Sequence, residues 1–165
     1  MRIIGIDPGL GITGYGVIEL KNSHIKLIEA GIIKTSHFIP IHIRLKNIYV
    51  ELEKLLSEFK PGVLVLEDLY SHYKHPRTSI LMAHVRGVAC LISCLKDIQV
   101  VGFPAKRIKK AITGNGNASK EQIEKMITNI LRLKEPITQP DVADALALAI
   151  GYVYMNSSGQ RTEDR

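Results

Sequence analysis

Ile3-Ile4-Gly5-Ile6-Asp7-Pro8-Gly9 reads as a buried strand that ends on a carboxylate and turns at once. A short continuous apolar run fits a strand covered on both faces, and Asp-Pro-Gly is ordinary turn chemistry. A second short run, Val63-Leu64-Val65-Leu66, also closes on an acid, Glu67. Near the end of the chain, Asp141-Val142-Ala143-Asp144-Ala145-Leu146-Ala147-Leu148-Ala149-Ile150 opens an apolar helix with two acids on one face. Each feature has a plain structural explanation when taken alone. Asp starts turns, a polar residue often ends a strand, and acids suit the first turn of a helix dipole. Together they put four carboxylates at the ends of apolar segments. Two unit charges about 4 Å apart repel by roughly 4 kcal/mol at an effective dielectric near 20. A fold that gathers such groups must protonate some of them or bind cations between them. Every candidate ligand is oxygen, so Mg²⁺ is the expected ion.

Outward from that first strand, residues 11–19 and 25–34 are β-branched and punctuated by glycine, which predicts two antiparallel strands. Pro40 sets the start of a long helix whose apolar stripe is Ile41, Leu45, Ile48, Leu52, Leu55 and Phe59. Lys60-Pro61-Gly62 ends it, and residues 63–67 form a strand. Residues 68–77 are a polar loop with aromatic, histidine and basic side chains. A helix over 78–95 and a strand over 98–102 follow. Pro104 begins a short helix carrying Lys106, Arg107, Lys109 and Lys110. Ser119 caps the next helix, with Gln122 at the capping-box position. A final helix spans 141–154. Residues 1–155 therefore predict one α/β domain with a mixed sheet and helices packed on it. Residues 156–165 are a polar tail, predicted to be disordered.

The chain's 165 residues fit one domain with a real core. No apolar run approaches the roughly 20 residues of a transmembrane helix. The N-terminal apolar run is broken too early for a signal peptide. A cytoplasmic protein with no membrane partner is the expectation. Cys90 and Cys94, four apart on one helical face, read as buried apolar packing. The histidines form no metal-ligand pattern; His72 and His75 lie in the basic loop. Charge is unevenly placed. Residues 69–120 hold nine bases against one acid, Asp97, a local +8 that leaves the rest at −2 of the net +6. A basic centre beside gathered carboxylates suits a polyanionic substrate, since the bases hold phosphates while cations neutralise the acids.

Five motifs occur in order: Gly5-Ile6-Asp7-Pro8-Gly9, Thr13-Gly14-Tyr15-Gly16-Val17, Arg86-Gly87-Val88-Ala89, Gly114-Asn115-Gly116-Asn117-Ala118-Ser119-Lys120 and Asp141-Val142-Ala143-Asp144-Ala145-Leu146-Ala147. They span the chain to about Tyr154, and the sequence resembles the RuvC Holliday junction resolvases of the ribonuclease H-like superfamily. The resemblance implies a ribonuclease H-like α/β fold, a five-stranded mixed sheet flanked by helices on both faces. It implies a homodimeric endonuclease that resolves four-way DNA junctions by paired symmetric nicks in recombination and repair. Asp7, Glu67, Asp141 and Asp144 would be its catalytic, metal-binding tetrad, with two Mg²⁺ per subunit and Mn²⁺ able to substitute. Hydrolysis would leave 5′-phosphate and 3′-hydroxyl ends. Lys109 and Lys120 match two family lysines and would stabilise transition-state charge. Tyr70 falls where the family carries an aromatic at the junction centre. Lys74, Arg77, Lys106, Arg107 and Lys110 would contact DNA. A RuvA–RuvB branch-migration complex enters as a partner through the family alone.

Two positions depart from the family pattern. Asp68 adds a charge directly after Glu67, and Gly11-Ile12 occupies a turn where relatives often carry a basic or polar residue. Some members have His at the position of Asp141. Three other readings use the same residues. One is a ribonuclease H-like nuclease with another nucleic-acid substrate, which twofold geometry would distinguish. Another is a non-catalytic junction-binding or architectural protein, which would not cleave with Mg²⁺. The third, a sugar-kinase-like ATPase, shares the Asp-x-Gly turn but normally needs two such domains.

Overall fold

Alternation along β1 (Arg2–Asp7) divides its side chains between two apolar layers. Ile3 joins one buried cluster, while Ile4 and Ile6 join the other. The computed structural model describes residues 1–68 and 76–159. In it, β2 (Ile12–Lys21), β3 (His24–Lys34), β4 (Val63–Glu67) and β5 (Gln99–Phe103) complete a sheet of order β3-β2-β1-β4-β5. The first three strands pair antiparallel, and β4 and β5 add in parallel to the other edge of β1. This is the mixed five-stranded sheet expected from the sequence. α1 (Ile41–Phe59) and α2 (Pro76–Leu95) cover one face. α3 (Ala105–Thr113), α4 (Lys120–Ile130) and α5 (Pro140–Gly159) cover the other, with α5 lying directly on β1 and β2.

Local chemistry explains most boundaries. Pro40 stands at the N-cap of α1, and Lys60 ends it in the left-handed region at φ 45°. Ser119 and Gln122 form the reciprocal capping box of α4. Several boundaries differ from the sequence reading. In α1 the fully buried positions are Ile48, Leu52 and Leu56 rather than Leu55, which is half-buried. α2 begins at Pro76, taking Pro76 and Arg77 out of the expected loop, since proline suits a first helical turn. α5 continues to Gly159, so residues 156–159 extend the helix; residues 160–165 lie outside the described part.

α2 corrects two further expectations. Over Arg77–Leu95 it is long and apolar enough to cross a membrane by length and composition, with a mean hydropathy of 1.6. His84, Arg86 and Ser93 interrupt its apolar run. Its apolar residues divide between a sheet-facing side (Val85, Ala89, Ile92) and an exposed side (Ile80, Leu91, Leu95). The cysteines divide the same way: Cys90 is half-buried and packs on the core, whereas Cys94 is exposed.

Candidate active site

Strand parity brings the first two carboxylates together. In the parallel β1–β4 pair the register runs from Ile3 opposite Val63 to Ile6 opposite Leu66. Asp7 and Glu67 each lie one residue further. Both share parity with Ile3 and with Val63 and Val65, which face the α5 layer. Adjacent strands are about 4.8 Å apart, so two carboxyls leave neighbouring strand ends toward the same helix.

That helix comes unusually close because glycines remove the side chains beneath it. A Cβ on Gly5 would stand 2.0 Å from the Ala145 carbonyl oxygen, and one on Gly14 would stand 2.0 Å from that of Asp141. A Cβ on Gly16 would run into the Leu146 side chain at 2.5 Å. Gly5 pairs with Gly16, and Asp7 with Gly14, across β1 and β2. The three glycines form a trough for the first turns of α5. The trough explains why Thr13-Gly14-Tyr15-Gly16-Val17 is a motif, and it sets Asp141 and Asp144 beside Asp7.

Electrostatics report the gathering. Burial pushes the Asp7 carboxyl up to about 7, with Asp144, Asp141 and Glu67 adding to the rise and Lys120 opposing it. Burial also raises Glu67, followed by Asp144; Lys109 and Lys120 pull it down, and Asp68 pushes it up. Lys120 Nζ lies 3.2 Å from Asp144 Oδ2, and the Asp144 charge holds its ammonium above the usual lysine range. Among the described residues no three acidic, histidine or cysteine side chains close into a metal-ligand set. An all-oxygen, open arrangement fits Mg²⁺, which keeps waters and takes one or two carboxylates plus substrate phosphate oxygens.

Two depressions flank these acids. Glu67 and Asp144 line one with Lys109 and Lys120. Lys109 is placed there by donating to the Ala118 carbonyl at 3.2 Å, across the Gly114–Asn117 turn. Asp7 and Asp141 line the other, with Arg44 and Thr78. Of the remaining bases, Lys106, Arg107 and Lys110 are exposed on α3 outside both depressions, and the Arg107 guanidinium stacks over Phe103 at 5.5 Å. Arg77 is exposed in the first turn of α2. Tyr70 and Lys74 lie outside the described residues.

Three side chains to which the sequence alone gives no role stand near the site. Asp68 follows Glu67 and so points to the opposite face, toward α2. Its Oδ1 lies 3.6 Å from Arg86 Nη2, and its N–H donates to the Phe103 carbonyl at 2.9 Å. Arg86 Nη1 in turn donates to the Glu67 carbonyl. The extra acid thus pairs with Arg86 on the far side of the strand, although its charge still raises Glu67, and Arg86 ties α2 to the residue that carries the Glu67 carboxylate. In the sequence Arg86 is visible only as a motif letter. Arg44 gives no signal there, because nothing in its helical spacing distinguishes it from a surface arginine.

The family model described as "Crossover junction endodeoxyribonuclease RuvC" matches residues 3–152. A protein of that description from Caldicellulosiruptor saccharolyticus is 39% identical over 165 residues, covering 99% of each chain. Another, from Rhodopirellula baltica, is 41% identical over 148 residues, or 90% of this chain and 83% of that one. The solved structure "T. thermophilus RuvC in complex with Holliday junction substrate" matches with a TM-score of 0.91 at 28% identity, covering 96% of both chains. The motifs, the sheet order and these likenesses agree, and the chain belongs to the RuvC family of crossover junction endodeoxyribonucleases.

Proposed function

We propose that this chain resolves four-way DNA junctions with Asp7, Glu67, Asp141 and Asp144 as its cation-holding catalytic carboxylates. The observation that carries the assignment is the geometry that gathers four acids: the β1–β4 register brings Asp7 and Glu67 to neighbouring strand ends, and α5, seated on Gly5, Gly14 and Gly16, sets Asp141 and Asp144 beside them. Carboxylates that crowd one another in this way, and so raise the Asp7 carboxyl, form a site that divalent cations complete. Two Mg²⁺ per subunit, with Mn²⁺ able to substitute, would supply Lewis-acid activation of water and charge stabilisation at the leaving oxygen.

The chain's own groups do the rest. Asp7 and Glu67, fixed at rigid strand ends, and Asp141 and Asp144, fixed on the first turns of α5, define where a scissile phosphate sits. Lys120 and Lys109 stand beside Asp144 and Glu67 and stabilise the extra negative charge as water adds to phosphorus. The bond to the 3′-oxygen breaks, leaving a 5′-phosphate and a 3′-hydroxyl. No protein nucleophile is needed. Exposed Lys106, Arg107 and Lys110 on α3, and Arg77 on α2, contact the DNA backbone around the site, with Tyr70 and Lys74 assigned to the same surface by the family pattern.

Paired nicks need two sites related by a twofold axis. Ile80, Leu91 and Leu95 are 57%, 57% and 66% exposed on one side of α2. Exposed Ala83 and Gly87 lie between them at helical spacing, and a Cβ on Gly87 meets nothing within 4 Å. This stripe, with small residues at its middle, is where a second copy of the chain packs, helix against helix. A cytoplasmic location enters on family grounds. The RuvA–RuvB complex enters as a partner on family grounds.

Asp7→Asn tests the assignment. It should abolish Mg²⁺-dependent cleavage of a synthetic junction while binding in EDTA persists, because the basic surface is untouched. Cleavage at the wild-type rate would remove Asp7 from the site.

A further inference from the structure

On the junction-nuclease reading above, we infer that Arg44 and the turn at residues 9–12 form a second backbone-phosphate subsite, in the cleft that Lys109 and Lys120 do not line. This cleft holds about 330 Å³ and is lined by Asp7 and Asp141 together with Arg44, Gly11 and Thr78. It opens directly from the carboxylates, so a strand whose scissile phosphate lies on the tetrad passes a neighbouring phosphate into it.

Arg44 is pre-positioned for such a ligand. Its Nε donates to Thr35 Oγ1 at 2.8 Å. The Thr35 hydroxyl donates to the Leu10 carbonyl, and the Thr35 N–H donates to the Gly11 carbonyl at 3.0 Å. One hydroxyl therefore locks the guanidinium to the turn that follows Asp7. Among the described residues no carboxylate pairs with Arg44, and its terminal nitrogens have no acceptor. A half-buried arginine without an anion is uncommon, because removing that charge from water calls for a partner. A guanidinium fixed through Nε keeps a planar fork of N–H donors that matches two phosphate oxygens. Thr78 brings a neutral hydroxyl to the cleft from the first turn of α2, which contains no acid to oppose the partial positive charge of the helix N-terminus. Scissile phosphate and metals would then be flanked by lysines on one side and this arginine on the other.

The competing account is that Arg44 only ties α1 to the end of β3. Salt dependence separates the two. In EDTA, which stops cleavage, binding of a four-way junction and of a linear duplex is measured from 50 to 200 mM KCl. Each phosphate held by a cationic side chain contributes about 0.9 to the slope of log affinity against log salt. Arg44→Gln should lower the junction slope by about 0.9 per subunit, which makes its defect about 3.5-fold larger at 50 than at 200 mM for each phosphate released. Arg44→Lys should keep the slope. An unchanged slope in Arg44→Gln overturns the subsite. Should Arg44→Gln fail to fold, Gly11→Asp gives the same test. Position 11 is exposed, and a Cβ there meets only Arg44 Nη2, at 4.0 Å. The new acid occupies the guanidinium, and a wild-type slope would again overturn the subsite. A wild type that binds duplex and junction alike would refute the junction reading instead, with the Arg44 slope still readable on duplex.

Discussion

Asp7→Asn should stabilise the metal-free protein at alkaline pH while destroying its activity. The wild-type carboxyl is raised from 3.8 to about 7, first by burial and then by Asp144, Asp141 and Glu67. Between those values the folded state holds a proton that the unfolded state has released. Stability must therefore fall as pH rises from about 4 to about 7, and the full penalty is present above the folded value. A shift of about three units corresponds to about 4 kcal/mol at 1.36 kcal/mol per unit. Relaxation of the cluster and water entry reduce that ceiling, and about half of it is expected in practice. Asn cannot ionise and avoids the penalty. For a chain of this length about 2 kcal/mol moves the midpoint by roughly 4–8 °C. The assay is thermal unfolding by circular dichroism in EDTA at pH 5 and pH 8, for wild type and variant. The wild type should lose stability toward pH 8 more than the variant does, and added Mg²⁺ should restore the wild type but not Asp7→Asn. A variant less stable than wild type at pH 8 in EDTA would refute the charge-crowding argument.

Lys120→Ala should slow junction cleavage on the order of 10²-fold while weakening binding far less; equal losses in single-turnover rate and affinity would make it a phosphate anchor only. Gly5→Ala drives a Cβ into the Ala145 carbonyl, and should cost about 1–3 kcal/mol in unfolding experiments, with cleavage falling more steeply because α5 carries two of the acids. The control Gly62→Ala, whose Cβ would come no nearer than 4.0 Å to the Arg2 carbonyl oxygen, should do neither. Arg86→Lys breaks the paired interactions with the Glu67 carbonyl and Asp68, and should raise the Mg²⁺ concentration for half-maximal cleavage roughly 10-fold, read from a metal titration. Leu91→Asp should yield a monomer in sedimentation that nicks junctions singly.

What is legible in the sequence follows from periodicity. Ile3-Ile4-Gly5-Ile6-Asp7 and Val63-Leu64-Val65-Leu66-Glu67 are strands because they are short, apolar and bounded by turns, and strand parity then fixes which way each acid points. Ser119 and Gln122 announce a helix start through chemistry that needs no tertiary context. What is not legible depends on partners distant in sequence. Leu55 and Leu56 differ only in which of them meets the sheet. Cys94 is exposed because α2 has one side turned away from the core, which neither its spacing nor its hydrophobicity reveals. Asp68 looks like a fifth charge at the site, but strand parity turns it to the other face, where it meets Arg86, a partner 18 residues away that the sequence does not reveal. The glycine trough under α5 is visible as a motif without its reason, since the reason is a helix more than 120 residues downstream.

The most direct test of this mechanism is cleavage of a synthetic four-way junction, end-labelled on each strand in turn, with and without Mg²⁺. Paired, symmetric, ligatable nicks that require the metal and vanish in Asp7→Asn are expected. Tight junction binding with no cleavage across a range of divalent metals would contradict the mechanism and leave a binding protein whose gathered carboxylates do no chemistry.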